Sequence, residues 1–159
     1  MINNSKKAEK PKQAEKAKKP KKVSFSLSKN SLKHLEGIDA RLIELATEAI
    51  KTTKVDFGIP STGGFRTSQE QRELFNKIPK VSACDGLVRR SKHQDGLAFD
   101  VYAYVDGKAS WEPEHLTAVA ENMIETAQKL DIPVKWGGNF VGFIDMPHFE
   151  IDETRIRFP

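Results

Sequence analysis

The 159-residue chain has a single cysteine, Cys84. That excludes an internal disulfide and any metal site built from several thiolates, so a metal here would have to be held by histidine and carboxylate. Long apolar runs are also missing. Nothing approaches the roughly 20 apolar residues of a membrane-crossing helix. Before residue 40 no apolar stretch follows the first positive charges as a secretory signal requires, so the sequence predicts a soluble chain made in the cytoplasm, without a signal peptide or a membrane span. Aromatic residues make up only 8% of the chain. None is interleaved with the basic residues of the N-terminal segment, which argues against a nucleic-acid partner.

Lysine is abundant, but at one end. Residues 1–22 hold nine lysines against Glu9 and Glu15, a net of +7, whereas the rest of the chain has 17 basic and 20 acidic residues, a net of −3. The overall +4 therefore hides a mildly acidic domain carrying a basic tail. Composed of Lys, Ala, Pro and Glu, residues 1–22 cannot bury enough surface to offset the entropy of ordering, and they are expected to be a disordered tail. Such a tail can be drawn electrostatically to anionic envelope surfaces. Residues 23–159 suffice for one domain with a real core, expected to be a monomer.

Within that domain Leu32 and Leu35 share a helical face. A second helix follows Asp39 as N-cap, with Leu42, Leu45, Ala46, Ala49 and Ile50 at helical spacing. Val55, Phe57 and Ile59 alternate as a short strand up to Pro60. Thr67-Ser68-Gln69-Glu70 reads as a capping box opening a helix to about Asn76, which puts Arg66 at a strand-to-helix junction. Residues 77–96 lack periodicity and read as a long loop, a feature often functional in a compact domain. Leu97 to Tyr102 alternate as one strand with Asp100 pointing away from Phe99 and Val101. A hairpin turn at Val105–Lys108 precedes a helix with Leu116, Val119, Ala120, Met123, Ile124, Ala127 and Leu130 as its apolar stripe. Strands at Pro133–Trp136 and His148–Ile151 complete an α+β domain, helices packed on a small, mainly antiparallel sheet.

The chemistry lies in SKHQDGLAFD and DMPHFE. If Phe149 and Ile151 face the core, His148 and Glu150 face the other side, where His148 can meet His93 and Asp100. Two imidazoles and a carboxylate are three suitable Zn²⁺ ligands, and a fourth position open to water marks a catalytic site. The ligand types alone also suit other divalent metals. Asp145 sits in a turn before His148 and is the candidate general base, with Glu150 as an alternative base or as a partner orienting an imidazole. Arg66 is the candidate donor to negative charge developing on a carbonyl oxygen. Cys84, in a polar loop with no histidine motif beside it, is not expected to be a nucleophile. His34 and His115 read as surface residues.

Gly64-Phe65-Arg66-Thr67 with Glu70-Gln71, Ser91-x-His93-x-x-Gly96-x-Ala98-x-Asp100, Trp136-Gly137-Gly138 and Asp145-x-Pro147-His148-Phe149-Glu150 together resemble a family of zinc peptidases. It includes D-Ala-D-Ala carboxypeptidases, vancomycin-resistance dipeptidases and phage L-alanyl-D-glutamate endopeptidases, and the likeness covers roughly residues 25–152. The phage endolysin branch fits best, through Val55-Asp56-Phe57 and Ala103-Tyr104-Val105-Asp106-Gly107-Lys108. Asn139-Phe140 stands where that branch usually has Asp-Trp. The resemblance implies a hedgehog/DD-peptidase-like fold, a zinc site of His93, Asp100 and His148, Asp145 as base, and Arg66 as oxyanion or substrate-binding group. It further implies cleavage of the L-Ala-D-Glu bond in peptidoglycan stem peptides by an endolysin held in the host cytoplasm until lysis and then acting on the wall. Two alternatives use the same zinc site: a D-Ala-D-Ala carboxypeptidase or dipeptidase, and a zinc-containing wall-binding module without turnover.

Overall fold

The computed structural model describes residues 24–155. The Lys-rich segment expected to be disordered, and the last four residues, lie outside the described residues.

Three of the four α-helices among the described residues start where the sequence supplies a side-chain cap. Ser28 accepts a hydrogen bond from Ser31 N at the start of α1 (Lys29–His34). Asp39 caps α2 (Ala40–Ala49) through Arg41 N and also binds the Arg41 guanidinium. Thr67 and Glu70 close the reciprocal capping box of α3 (Ser68–Phe75), satisfying two backbone donors that the first turn leaves free. The long helix α4 (Pro113–Lys129) has no side-chain cap and opens on Pro113, whose missing N–H and fixed φ suit a first helical position.

Six short strands form two antiparallel three-stranded sheets rather than one. In the first, β3 (Tyr102–Val105) lies between β1 (Asp56–Gly58) and β4 (Lys108–Ser110). Its hairpin turns at Asp106 and Gly107, with φ of 51° and 75°, the paired left-handed conformation that two-residue hairpin loops require. In the second, β6 (His148–Ile151) lies between β2 (Ala98–Asp100) and β5 (Val134–Trp136). The alternation expected for a single strand over residues 97–102 is present, but the chain changes sheets at Val101. Asp100 N donates to Gly63 O at 2.7 Å and Val101 N to Pro147 O at 3.0 Å.

One core joins these layers. Leu42, Leu45, Ala46 and Ala49 of α2 and Leu116, Val119, Ala120, Met123 and Ala127 of α4 are buried together with Phe99, Phe149 and Ile151 of the second sheet. Phe99 and Phe149 are register partners with stacked rings 5.6 Å apart. Because side chains alternate along a strand, seating Phe99 and Phe149 in the core turns their neighbours Asp100 and His148 to the opposite face. No helix among the described residues is long and apolar enough to cross a membrane.

Candidate metal centre

His93 sits on a 3-10 turn, Lys92–Asp95, held by its own capping box of Ser91 and Gln94 and ended by Gly96 at φ 69°. Glycine is needed there twice over, since the left-handed backbone disfavours any side chain and a Cβ would stand 2.8 Å from Gly37 O. Asp100 ends β2, and His148, directly opposite it in register, begins β6. Sheet register thus sets two of the three groups, and the capped turn brings in the third.

The inward atoms form a nearly equilateral triangle. His93 Nε2 is 3.1 Å from Asp100 Oδ1 and 3.1 Å from His148 Nδ1, and His148 Nδ1 is 3.2 Å from the same Asp100 oxygen. The outer nitrogens fix which ring atoms face inward. His93 Nδ1 donates to Gly64 O at 2.8 Å, and His148 Nε2 donates to Glu150 Oε2 at 3.0 Å. With those N–H groups committed, each neutral ring directs a lone pair at the other and at a carboxylate, an arrangement that repels unless a positive charge sits between them. Three ligands around a tetrahedral ion at about 2.0–2.1 Å would be about 3.3 Å apart. The triangle fits a small divalent cation such as Zn²⁺, and these three residues form a group able to hold a metal.

The electrostatics show the same demand for positive charge, which a proton on His148 or a cation in its place can meet. Burial works against ionising Asp100, but His93, hydrogen bonds from His148 and His93, and the charge of Arg66 hold its carboxyl well below the usual range. Burial likewise opposes charging His148, yet Asp100 and Glu150 bring it up to about 9. Glu150, a candidate base in the sequence, therefore faces the outer nitrogen of His148 rather than the triangle.

Arg66 approaches from behind Asp100. Its Nε donates to Thr62 O at 2.6 Å, its Nη1 to Gln71 Oε1 at 3.3 Å, and its Nη2 to Asp100 Oδ2. Only 8% of Arg66 is exposed. Three of the five guanidinium hydrogens are committed by these bonds, leaving two. Gln71, fully buried, also donates to Ser82 Oγ and Cys84 O. It appears in the sequence only as part of a motif, because its partners lie across an aperiodic loop.

Asp145 lines the same groove as the triangle. Its N–H donates to Gly137 O at 3.0 Å and its carbonyl accepts from His148 N at 3.1 Å. A Cβ on Gly137 would lie 2.2 Å from Asp145 O, so that glycine, legible only as a strand break, is what lets Asp145 approach. Trp136 Nε1 donates to Met146 O at 2.6 Å and steadies the same turn. Burial, and then the nearby charge of Asp100, push the Asp145 carboxyl upward against the pull of His148, His93 and Arg66.

The groove encloses about 1070 Å³. Residues of the 77–92 loop line it, as do Phe140, Val141, Phe143 and Ile144. Cys84 lines it too, its thiol pushed up by burial, a poor setting for a nucleophile. His34 and His115 lie outside the cluster, half-buried rather than on the surface, with partners at Ile59 O and Ser110 Oγ.

Comparison with known proteins points the same way. The family described as phage L-alanyl-D-glutamate peptidase matches residues 23–152. The L-alanyl-D-glutamate peptidase of Escherichia phage T5 is 28% identical over 120 residues, covering 74% of this chain and 83% of that protein. The crystal structure of the Serratia marcescens L-Ala D-Glu endopeptidase ChiX matches with a TM-score of 0.67 at 27% identity, over 82% of this chain and 91% of that one.

Proposed function

This chain belongs to the phage L-alanyl-D-glutamate peptidase family, and from that premise we infer that it is a peptidoglycan endopeptidase hydrolysing the L-Ala-D-Glu bond of stem peptides. The observation that carries the reading is the triangle of His93 Nε2, Asp100 Oδ1 and His148 Nδ1 in a groove that Asp145 also lines. We take the ion to be zinc, held by His93, Asp100 and His148. When bound, zinc supplies Lewis acidity and lowers the pKa of water toward about 7.

The chain's own residues do the rest. Gly64 and Glu150 hold the two imidazoles by their outer nitrogens, so the inward lone pairs are already aimed. Asp145, its carboxyl raised by burial and by Asp100, takes a proton from the attacking water and returns it to the leaving amine of D-Glu. A carboxylate with a raised pKa is the better base for both transfers. Arg66 steadies Asp100 and keeps two N–H donors beyond the bonds described above. The role proposed for them is to meet the negative charge that grows on the scissile carbonyl oxygen. Host-cell lysis, and attraction of the basic residues 1–22 to an anionic envelope, complete the proposal; the net charge of that segment supports the second.

The test is digestion of purified peptidoglycan by the full chain, with and without chelator, and mass spectrometry of the products. The expected result is chelator-sensitive release of peptides with a new D-Glu amino terminus. Loss of terminal D-Ala would move the enzyme to carboxypeptidase chemistry, and absence of products would leave a wall-binding module.

A further inference from the structure

We propose that the 77–92 loop is a carboxylate-recognising wall of the groove, and that Lys77, Lys80 and Arg89 make the enzyme select stem peptides whose D-Glu keeps a free carboxylate. The proposal rests on the peptidase reading above and adds a substrate preference to it.

Five basic residues of this loop line the groove: Lys77, Lys80, Arg89, Arg90 and Lys92. Two already have partners, Arg90 with Asp95 at 2.7 Å and Lys92 with Glu153. Lys77, Lys80 and Arg89 have no carboxylate partner among the described residues. Lys80 Nζ lies 4.9 Å from the centre of the Phe75 ring. Arg89 stands beside the Cys84 thiol within the groove. Val141, Phe143 and Ile144 also line the groove and are exposed, giving it an apolar part. A ligand that carries both an anionic group and aliphatic groups matches this lining.

The loop has no regular secondary structure beyond its closing turn, yet it is fastened. Gln71 Nε2 holds Ser82 Oγ and Cys84 O at 2.8 and 2.9 Å, and Gln94 Nε2 holds Gly86 O at 3.0 Å. Asp85 Oδ1 accepts from the backbone N–H groups of Leu87, Val88 and Arg89. The backbone that carries Arg89 is therefore set before a ligand arrives, which reduces the ordering cost of binding.

The substrate's chemistry supplies the anion. Glutamate has two carboxyl groups and can extend the chain through only one; the other stays free unless it is amidated, a few bonds from the scissile nitrogen. Of the other basic residues lining the groove, Arg66 is paired with Asp100, Arg90 with Asp95 and Lys92 with Glu153, so a free carboxylate on the substrate is drawn to Lys77, Lys80 and Arg89.

The experiment uses two synthetic stem peptides, one with the free glutamate carboxylate and one with that group amidated, cleaved by the zinc-loaded full chain at low salt. Wild type is expected to favour the acid by about tenfold in kcat/KM, mostly through KM. The triple variant Lys77→Met, Lys80→Met, Arg89→Met should bring the ratio near parity. Lys77→Glu with Lys80→Glu, at two exposed positions, should turn the preference toward the amide. Parity in the wild type, or an undiminished preference in both variants, overturns the wall while leaving the peptidase reading intact. Failure of wild type to cut either peptide overturns both.

Discussion

Each imidazole of the triangle has its outer nitrogen held by a different kind of group, and the two should respond differently to substitution. His93 leans on a backbone carbonyl, Gly64 O, which no side-chain change removes, whereas His148 leans on the Glu150 carboxylate. Glu150→Ala should weaken metal affinity by about 10- to 100-fold, measured by competition with a chromophoric chelator, and Glu150→Gln should recover much of it through its amide oxygen. Unaltered affinity in Glu150→Ala would mean that sheet register alone aims His148. Asp145 should separate from the ligands. Asp145→Asn is expected to keep its metal and lose about 10²- to 10⁴-fold in kcat, while His148→Ala should lose both; equal metal loss in the two variants would make Asp145 a ligand. The placement of His148 and Glu150 is legible in sequence because Phe149 and Ile151 turn inward and so declare their face. The Gly64 carbonyl is not legible, since a backbone acceptor leaves no mark on its own residue type.

At the level of elements, local devices can be read and non-local ones cannot. The capping box of α3 is complete within Thr67 and Glu70, so four letters specify it. Thr67→Ala should cost about 1 kcal/mol in chemical denaturation. Bonds from Thr67 pull the Glu70 carboxyl below its ordinary 4.5. Because the folded value is the lower one, Glu70 stabilises above the unfolded value and loses that contribution as pH falls through the folded value. The stability gap between wild type and Glu70→Ala should therefore narrow as pH drops below 4.5; a gap that stays constant would assign the effect to helix propensity alone. The change of sheets at Val101 shows the limit of such reading. Alternation runs unbroken from Leu97 to Tyr102, and the break is imposed by Gly63 O and Pro147 O, acceptors distant in sequence that take the N–H groups of Asp100 and Val101. The single sheet expected from the pattern thus becomes two.

For the molecule as a whole, the metal would tie together three segments that meet only in the fold: the turn carrying His93, the end of β2 and the start of β6. An ion that binds this assembly and not the unfolded chain stabilises the fold by mass action, by about 2.7 kcal/mol at a hundredfold excess over Kd. For a domain of this size that corresponds to a rise in Tm of roughly 10 °C. The thermal midpoint of wild type should climb with zinc concentration, Asp145→Asn should climb in parallel, and His148→Ala should stay flat. The parallel course matters because it separates holding the ion from using it: an Asp145→Asn protein that gains stability from zinc yet cuts no wall places the proton transfer, and not the metal, on Asp145. A wild-type midpoint indifferent to zinc would remove the metal from the centre, and the convergence of two inward lone pairs on one carboxylate would then need a proton on His148 to hold it together.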